Sequence, residues 1–119
     1  MEAARPIEVL VVGQLEVRPG ELIALAAGHP LTLSVREFAL LVELARRKDR
    51  IVAREELFAR VWGTALRSGD RSVDVYVHKL RVKLEEALPA WQFIHTHVGF
   101  GYRLSAEPSH PFHKDATGR

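Results

Sequence analysis

The side chains best suited to chemistry in this chain of 119 residues are cations grouped in one segment. Residues 67–83 carry five basic side chains against two acidic ones, a balance of +3, although the whole chain carries only +2. The five are Arg67, Arg71, Lys79, Arg81 and Lys83. Arginine makes up 13 of the 17 cations in the chain, and its planar guanidinium matches phosphate oxygens and base edges with paired hydrogen bonds. The segment therefore indicates nucleic acid as a candidate partner.

These cations lie in a predicted helix over residues 71–88, with Asp70 as its N-terminal cap. Its apolar residues are spaced by 4, 3, 4 and 4 and define one side of the helix: Val73, Val77, Leu80, Leu84 and Leu88. The opposite side carries Arg71, Val75, His78, Lys79 and Val82. Valine between cations suits contact with a thymine methyl group, which favours DNA contact over a merely solvated surface. Asp74 could orient one of these cations, but an ordinary surface ion pair is the favoured interpretation.

The elements that position this helix precede it in the chain. Short β-rich runs predict a small antiparallel sheet from strands over 7–12, 15–18, 21–27 and 30–33. Ser34 and Glu37 form the pattern of a capping box, so a helix should begin there and continue to the basic residues 46–48. A further helix is predicted over 54–62, with Ala53 at its cap position and Gly63 at its end.

A hairpin follows the basic helix. Residues 93–98 and 102–104 alternate as strands around Gly99-Phe100-Gly101, and Phe100 should be exposed at the tip, facing the DNA backbone or a partner. We expect an N-terminal extension over 1–6, one domain over 7–104 and a flexible tail over 105–119. The order of elements predicts an α+β winged helix-turn-helix: an N-terminal antiparallel sheet, three helices and a C-terminal β-hairpin wing.

Several function classes find no support in the sequence. The chain has no cysteine, which excludes disulfides and thiolate metal sites, and no Ser/His/Asp or paired-carboxylate arrangement indicates an enzyme. His95 and His97 alternate on one strand and could ligate a metal, but nothing completes the site, so structural or phosphate-contacting roles are favoured. We expect no cofactor. No apolar run is long enough for a membrane span and no signal peptide is evident, so a cytoplasmic location is expected.

Three sequence blocks together resemble the C-terminal DNA-binding domain of OmpR/PhoB-type response regulators from bacterial two-component systems. The blocks are LSVREFALLVELAR (33–46), IVAREELFARVWG (51–63) and RSVDVYVHKLRVKLE (71–85) followed by GFGYRL (99–104). The similarity spans residues 7–104. It implies that the third helix reads the major groove, that the wing touches the minor groove or the backbone, and that residues 63–69 contact RNA polymerase. It also implies two copies on tandem repeated half-sites of double-stranded DNA.

The resemblance and the helix pattern together nominate site residues. Base contacts are predicted for Val75, His78 and Lys79. Phosphate contacts are predicted for Ser34, Arg36, Arg71, Arg81 and Thr96. The wing residues are His95, His97, Val98 and Arg103, and the polymerase-contacting loop holds Thr64, Ala65, Leu66, Arg67 and Ser68. Four to six phosphate contacts predict a log–log salt slope of roughly −4 to −5.

Two departures from the family pattern bear on these contacts. Where the family usually has two basic residues, this chain has His78 and Lys79, and an imidazole carries little positive charge near pH 7. The wing usually reads Arg-Thr-Val-Arg-Gly, whereas residues 95–99 read His-Thr-His-Val-Gly, so Val98 stands where a minor-groove arginine is common. The altered wing keeps an alternative open: a protein-interaction module with this fold, contacting RNA polymerase or an effector domain, with little DNA binding.

Overall fold

The structure, a computed structural model, describes residues 7–109. Its helices are α1 (Val35–Arg46), α2 (Arg54–Trp62) and α3 (Ser72–Ala87), with a 3-10 turn over Pro19–Glu21. Its strands are β1 (Leu10–Val12), β2 (Leu15–Arg18), β3 (Ile23–Ala26), β4 (His29–Pro30), β5 (Ile51–Ala53), β6 (Trp91–His97) and β7 (Gly101–Pro108). This order confirms the α+β winged helix-turn-helix. None of the helices in the described range is long and apolar enough to span a membrane.

Two antiparallel sheets flank the three helices. The N-terminal sheet has the order β1-β2-β3-β4, and the second sheet has the order β5-β7-β6. One hydrophobic core joins them, with leucines from every helix among its fully buried members: Leu40, Leu41, Leu44, Leu57, Leu80 and Leu84. The sheets and α1 therefore form a platform that holds α3 by its apolar side.

The predicted capping box at the start of α1 is present. The Glu37 backbone N–H donates to Ser34 Oγ over 3.2 Å, and the Ser34 N–H donates to Glu37 Oε1 over 2.8 Å. Glu37 is a buried charged residue, and Lys83 of α3 donates to the same Oε1 over 2.7 Å. The pair fixes the start of α1 against α3, so Lys83 is a structural cation rather than part of an open basic surface.

The N-terminal strands are shorter than predicted. Of the strand predicted over 7–12, only β1 (Leu10–Val12) forms. The strand predicted over 21–27 begins later, at Ile23, because Pro19–Glu21 form a 3-10 turn and Leu22 has a left-handed backbone (φ 57°). The strand predicted over 30–33 is replaced by the short β4 (His29–Pro30). Leu31 and Leu33 instead pack against the core in the segment that leads to α1.

The wing sheet holds one strand that the sequence did not indicate. Residues 51–53 pair with β7 as a third strand, with Val52 opposite Tyr102. A three-residue run just before α2 has no alternation long enough to mark a strand, and only the partner in β7 defines it.

Strand β7 also corrects the expected tail. Residues 105–108 continue the strand, because β6 begins at Trp91 and offers backbone partners as far as Pro108. Residues 110–119 of the predicted tail and the predicted extension over 1–6 lie outside the described residues.

The start of α3 differs by one position from the prediction. Arg71, rather than Asp70, occupies the cap position, and it makes no side-chain cap. The Asp70 carboxylate nevertheless accepts the Ser72 backbone N–H over 2.8 Å and the Ser72 hydroxyl over 2.6 Å. Asp70 therefore satisfies a first-turn donor from one residue further out than predicted.

Candidate nucleic-acid interface

Helix α3 separates its apolar and polar side chains as its spacing predicts. Its buried side rests on the core through Val73, Val77, Leu80 and Leu84, and Leu88 just after the helix is also buried. On the outer side His78 and Lys79 are exposed, and Val75 and Val82 are 48% and 37% exposed. The Lys79 ammonium lies 4.9 Å from the centre of the Tyr76 ring, a cation–π contact. The three residues predicted to contact bases, Val75, His78 and Lys79, thus share one open helix surface.

A network centred on Asp74 joins the first turn of α3 to α2 and to the wing. The Arg54 guanidinium donates to both Asp74 carboxylate oxygens at 3.0 Å each, and the Tyr102 hydroxyl donates to Oδ1 over 2.5 Å. Arg71 Nε lies 2.8 Å from Oδ2. The favoured expectation of an ordinary surface pair is therefore wrong for Asp74, because three groups from three elements converge on it. We call these four residues the Asp74 network.

The protonation of the network follows from its contacts. Burial raises the pKa of Asp74, but hydrogen bonds from Arg54 and Tyr102 and the charges of Arg54 and Arg71 outweigh it, so the pKa lies below 3.8. Burial and the adjacent Asp74 carboxylate raise the pKa of Tyr102 to about 12. Asp74 is thus an anion and Tyr102 a neutral donor at physiological pH.

Arg71 is held by one edge and exposed at the other. Its side chain is 74% exposed although Nε is paired with Asp74. The guanidinium still has donors that face solvent at the amino end of α3, where the helix dipole also favours an anion. Arg71 therefore keeps guanidinium donors available to an anion.

Arg81 and Thr96, both predicted to contact phosphates, are bonded to each other. Arg81 Nη2 donates to Thr96 Oγ1 over 2.8 Å and to the Ile94 carbonyl over 3.1 Å, and Nε donates to the same carbonyl over 3.2 Å. Arg81 therefore braces β6 against α3. Thr96 is exposed and keeps its own hydroxyl hydrogen to donate.

The predicted contacts on α1 are also partly committed. The Ser34 hydroxyl caps its helix, as described above. The Arg36 guanidinium lies 4.6 Å from the centre of the Trp62 ring, which in turn stacks on Phe58 at 4.8 Å. One Arg36 nitrogen, Nη1, is buried without a hydrogen-bond partner among residues 7–109. Much of the Arg36 side chain is therefore packed against Trp62 rather than available to a phosphate.

The wing side chains divide between the strands and the tip. On the strands, His95 Nε2 lies 3.0 Å from the Ser105 carbonyl, and Arg103 Nε donates to His97 Nε2 over 3.0 Å. Arg103 also donates to Glu107, so it is held along the sheet and does not extend toward the tip. At the tip, Val98 is 87% exposed. The predicted wing residues therefore lie in one hairpin, and the tip residue is the uncharged Val98.

The loop between α2 and α3 is mostly open to solvent. Leu66 packs against the core, and the other four predicted loop residues are exposed: Thr64, Ala65, Arg67 and Ser68. Leu66 therefore anchors the loop, and its neighbours present a small polar surface with one cation.

Two important residues of this region, Arg54 and Tyr102, are not indicated by the sequence pattern, which places them only in the second helix and in the hairpin. No local signal pairs them with Asp74, which lies 20 and 28 positions away along the chain. The cleft that they line, about 380 Å³, opens between the starts of α2 and α3 and the wing.

Comparison with known proteins identifies the class. The family described as "Transcriptional regulatory protein, C terminal" matches residues 28–104. Response regulator SaeR of Staphylococcus aureus is 30% identical over 100 residues, which are 84% of this chain and 44% of SaeR. The chain thus spans less than half the length of this curated relative.

Solved structures agree with the fold. The DNA-binding domain of CpxR from E. coli matches with a TM-score of 0.76 and 34% identity, covering 84% of this chain and 99% of that domain. The Klebsiella pneumoniae RstA DNA-binding domain, in complex with the RstA box, matches with a TM-score of 0.74 and 30% identity, covering 82% and 97%. Because the family match covers more than half of its residues, the chain belongs to the OmpR/PhoB-type family of transcriptional regulatory protein C-terminal domains.

Proposed function

We propose that this chain is a sequence-specific, double-stranded DNA-binding module of a transcriptional regulator, with α3 in the major groove and the wing on the backbone or minor groove. The observation that carries the proposal is the outer side of α3, where Val75, His78 and Lys79 are exposed. They follow the exposed Arg71 along the helix. The RstA domain that is in complex with its DNA box has the same fold, which supports this arrangement.

Each contact has a distinct task in this proposal. Lys79 and His78 donate to base edges, Lys79 to a guanine, and Val75 packs on a thymine methyl group. Arg71 holds a phosphate with the guanidinium edge that Asp74 leaves exposed, and the Thr96 hydroxyl holds another. Base contacts select the sequence, whereas phosphate contacts supply affinity and register. Arg81 acts indirectly, because it positions Thr96 and the wing.

Two copies of the domain should assemble on DNA. A domain with few base contacts binds weakly alone, so two copies should occupy tandem half-sites. The loop residues Thr64–Ser68 lie between α2 and α3, and we assign them to contact with RNA polymerase. Bacterial DNA is cytoplasmic, so the protein should act there, and it needs no catalytic residues for this role.

Selection of duplexes from random DNA tests the proposal. We expect an enriched motif and, by fluorescence anisotropy at ~50 mM salt, much tighter binding to it than to a scrambled duplex. Lys79→Ala should narrow that difference, whereas Lys48→Ala, on an exposed cation two residues after α1, should leave it unchanged. Absence of any binding at that salt, or binding without sequence preference, would instead favour the protein-interaction module.

A further inference from the structure

The tip of the wing is a tight turn with two exposed apolar side chains. The Phe100 backbone N–H donates to the His97 carbonyl over 2.8 Å, and Gly99 supplies the positive φ (81°) that such a turn needs at its third position. Val98 is 87% exposed and Phe100 is 73% exposed. Turn positions ordinarily favour polar residues, glycine and proline, so a valine and a phenylalanine here leave apolar surface in water for no local structural gain.

The base of this turn is held in place. Gly101 has φ 152°, and a Cβ at that position would overlap the backbone of Val52, so the turn rests directly on β5. Arg81 fixes Ile94 and Thr96 on the preceding strand. The two apolar side chains therefore project from a rigid support, and little conformational freedom is lost when they make contact.

The tip is continuous with the proposed DNA surface. Val98 and Phe100 line the same cleft as Arg71 and Asp74, beside the amino end of α3. In the proposed arrangement, with α3 in the major groove and a phosphate on Arg71, the wing is assigned to the neighbouring minor groove. The residues of the tip, 97–100, contain no lysine or arginine that could read that groove by charge.

We propose that Phe100, supported by Val98, is an apolar wedge that enters the minor groove and partly separates two stacked base pairs. This inference rests on the proposed function and deepens it by assigning how the wing selects sequence. An apolar side chain makes no base-specific hydrogen bond there, and it selects steps that unstack at low cost, chiefly TA and CA/TG. The wing thereby reads deformability and bends the duplex toward the major groove.

The test compares Phe100→Ala with the wild-type protein on the duplex enriched by selection. We expect affinity to fall roughly tenfold, as for loss of one aromatic contact with bases. The salt slope should stay the same, because no phosphate contact is removed. The bend measured by energy transfer between labelled duplex ends should decrease, and 2-aminopurine at the contacted step should lose its fluorescence rise. Thermal unfolding should be unchanged, because the tip is exposed.

Two variants sharpen the comparison. Phe100→Leu should retain most of the bend, since leucine also serves as a wedge. Ile7→Ala, which removes an equally exposed side chain (71%) from the N-terminal segment before β1, should bind as the wild type does. Wild-type affinity and bend in Phe100→Ala would overturn the wedge while leaving DNA recognition intact. A shallower salt slope in that variant would also overturn it, and a wild-type protein that binds no selected duplex would refute both proposals.

Discussion

Asp74 illustrates how a single residue can organise the candidate interface without contacting DNA itself. Its carboxylate accepts hydrogen bonds from Arg54 of α2 and Tyr102 of the wing. It also forms an ion pair with Arg71 at the amino end of α3. The pairing with Arg71 uses one edge of that guanidinium and orients the other toward solvent. Because charge-assisted hydrogen bonds are stronger than neutral ones, this arrangement would preorganise the phosphate contact that we propose for Arg71.

Asp74→Asn should lower the free energy of unfolding by about 2 kcal/mol near pH 7, because two arginines lose their charged acceptor. Its contacts hold the pKa of Asp74 below the ordinary value of an aspartate, so the ionic contribution is complete above the unfolded-state pKa of about 3.9 and is lost as pH falls through the lower folded value. Urea unfolding should therefore show the gap between wild type and variant narrowing below about pH 4.

The control for Asp74→Asn is Glu55→Gln, which neutralises an exposed carboxylate lining the same cleft. Its effect on stability should stay within about 0.5 kcal/mol. A gap for Asp74→Asn that stays constant into acid would contradict the assignment of the ionised carboxylate as the stabilising group.

Lys79 and Arg71 should respond differently to truncation, since one is assigned to a base and the other to a phosphate. Lys79→Ala should cost about 1–3 kcal/mol on the preferred duplex and relax preference at one base position. Arg71→Ala should weaken binding to all duplexes alike and reduce the salt slope by about 1. Anisotropy titrations on single-base variants of the selected duplex measure both, and a uniform loss for Lys79→Ala would reassign it to a phosphate.

Among the elements, α3 is held to its neighbours by cations as well as by its apolar side. Lys83 bonds the Thr32 carbonyl and Glu37 at the start of α1, and Arg81 bonds Ile94 and Thr96 in β6. These contacts set the angle at which α3 and the wing are presented together. Two of the cations that make α3 basic in the sequence, Arg81 and Lys83, therefore connect the helix to its neighbours.

The wing turn gives a matched pair of glycine substitutions. Gly101→Ala should destabilise the domain by at least about 3 kcal/mol, because the new Cβ meets the Val52 backbone, which cannot move without breaking β5 from β7. Gly99→Ala has open space around it and should cost only about 1–2 kcal/mol for its positive φ. Thermal unfolding compares the two, and equal losses would show that backbone strain rather than the close approach limits Gly101.

At the scale of the whole molecule, the distribution of charge matters more than its sum. Of the five cations in residues 67–83, Arg81 and Lys83 are bonded within the domain, whereas Arg67, Arg71 and Lys79 are exposed. Arg36 adds little, since it stacks on Trp62. The interface that remains is less basic than the sequence indicates.

The salt dependence of binding should reflect this smaller set. At most these three exposed cations can neutralise phosphates, which predicts a log–log slope no steeper than roughly −3 per bound domain, shallower than the −4 to −5 expected when Arg81 and Arg36 are counted. Titrations of the selected duplex across salt concentrations give the slope directly. A value of about −5 for one domain would mean that Arg81 or Arg36 leaves its present partners on binding.

The features that can be predicted from the amino-acid sequence alone are local. The capping box at Ser34, the apolar side of α3 and the glycines of the wing depend on residues a few positions apart, and all are found in the structure. The hairpin is predictable for the same reason. The strand over 51–53 and the extension of β7 to Pro108 are not, because a short strand is defined by its partner.

Which polar side chains are available for a partner depends on contacts between residues far apart in the chain. Arg81, Lys83 and Arg71 look alike along the chain, but the first two meet acceptors 15 and 46 positions away, and the third keeps an open edge. The physical reason is that a hydrogen bond depends on distance and direction in space, which helical spacing does not set. The sequence therefore identifies the basic helix, and the fold decides which of its cations remain exposed.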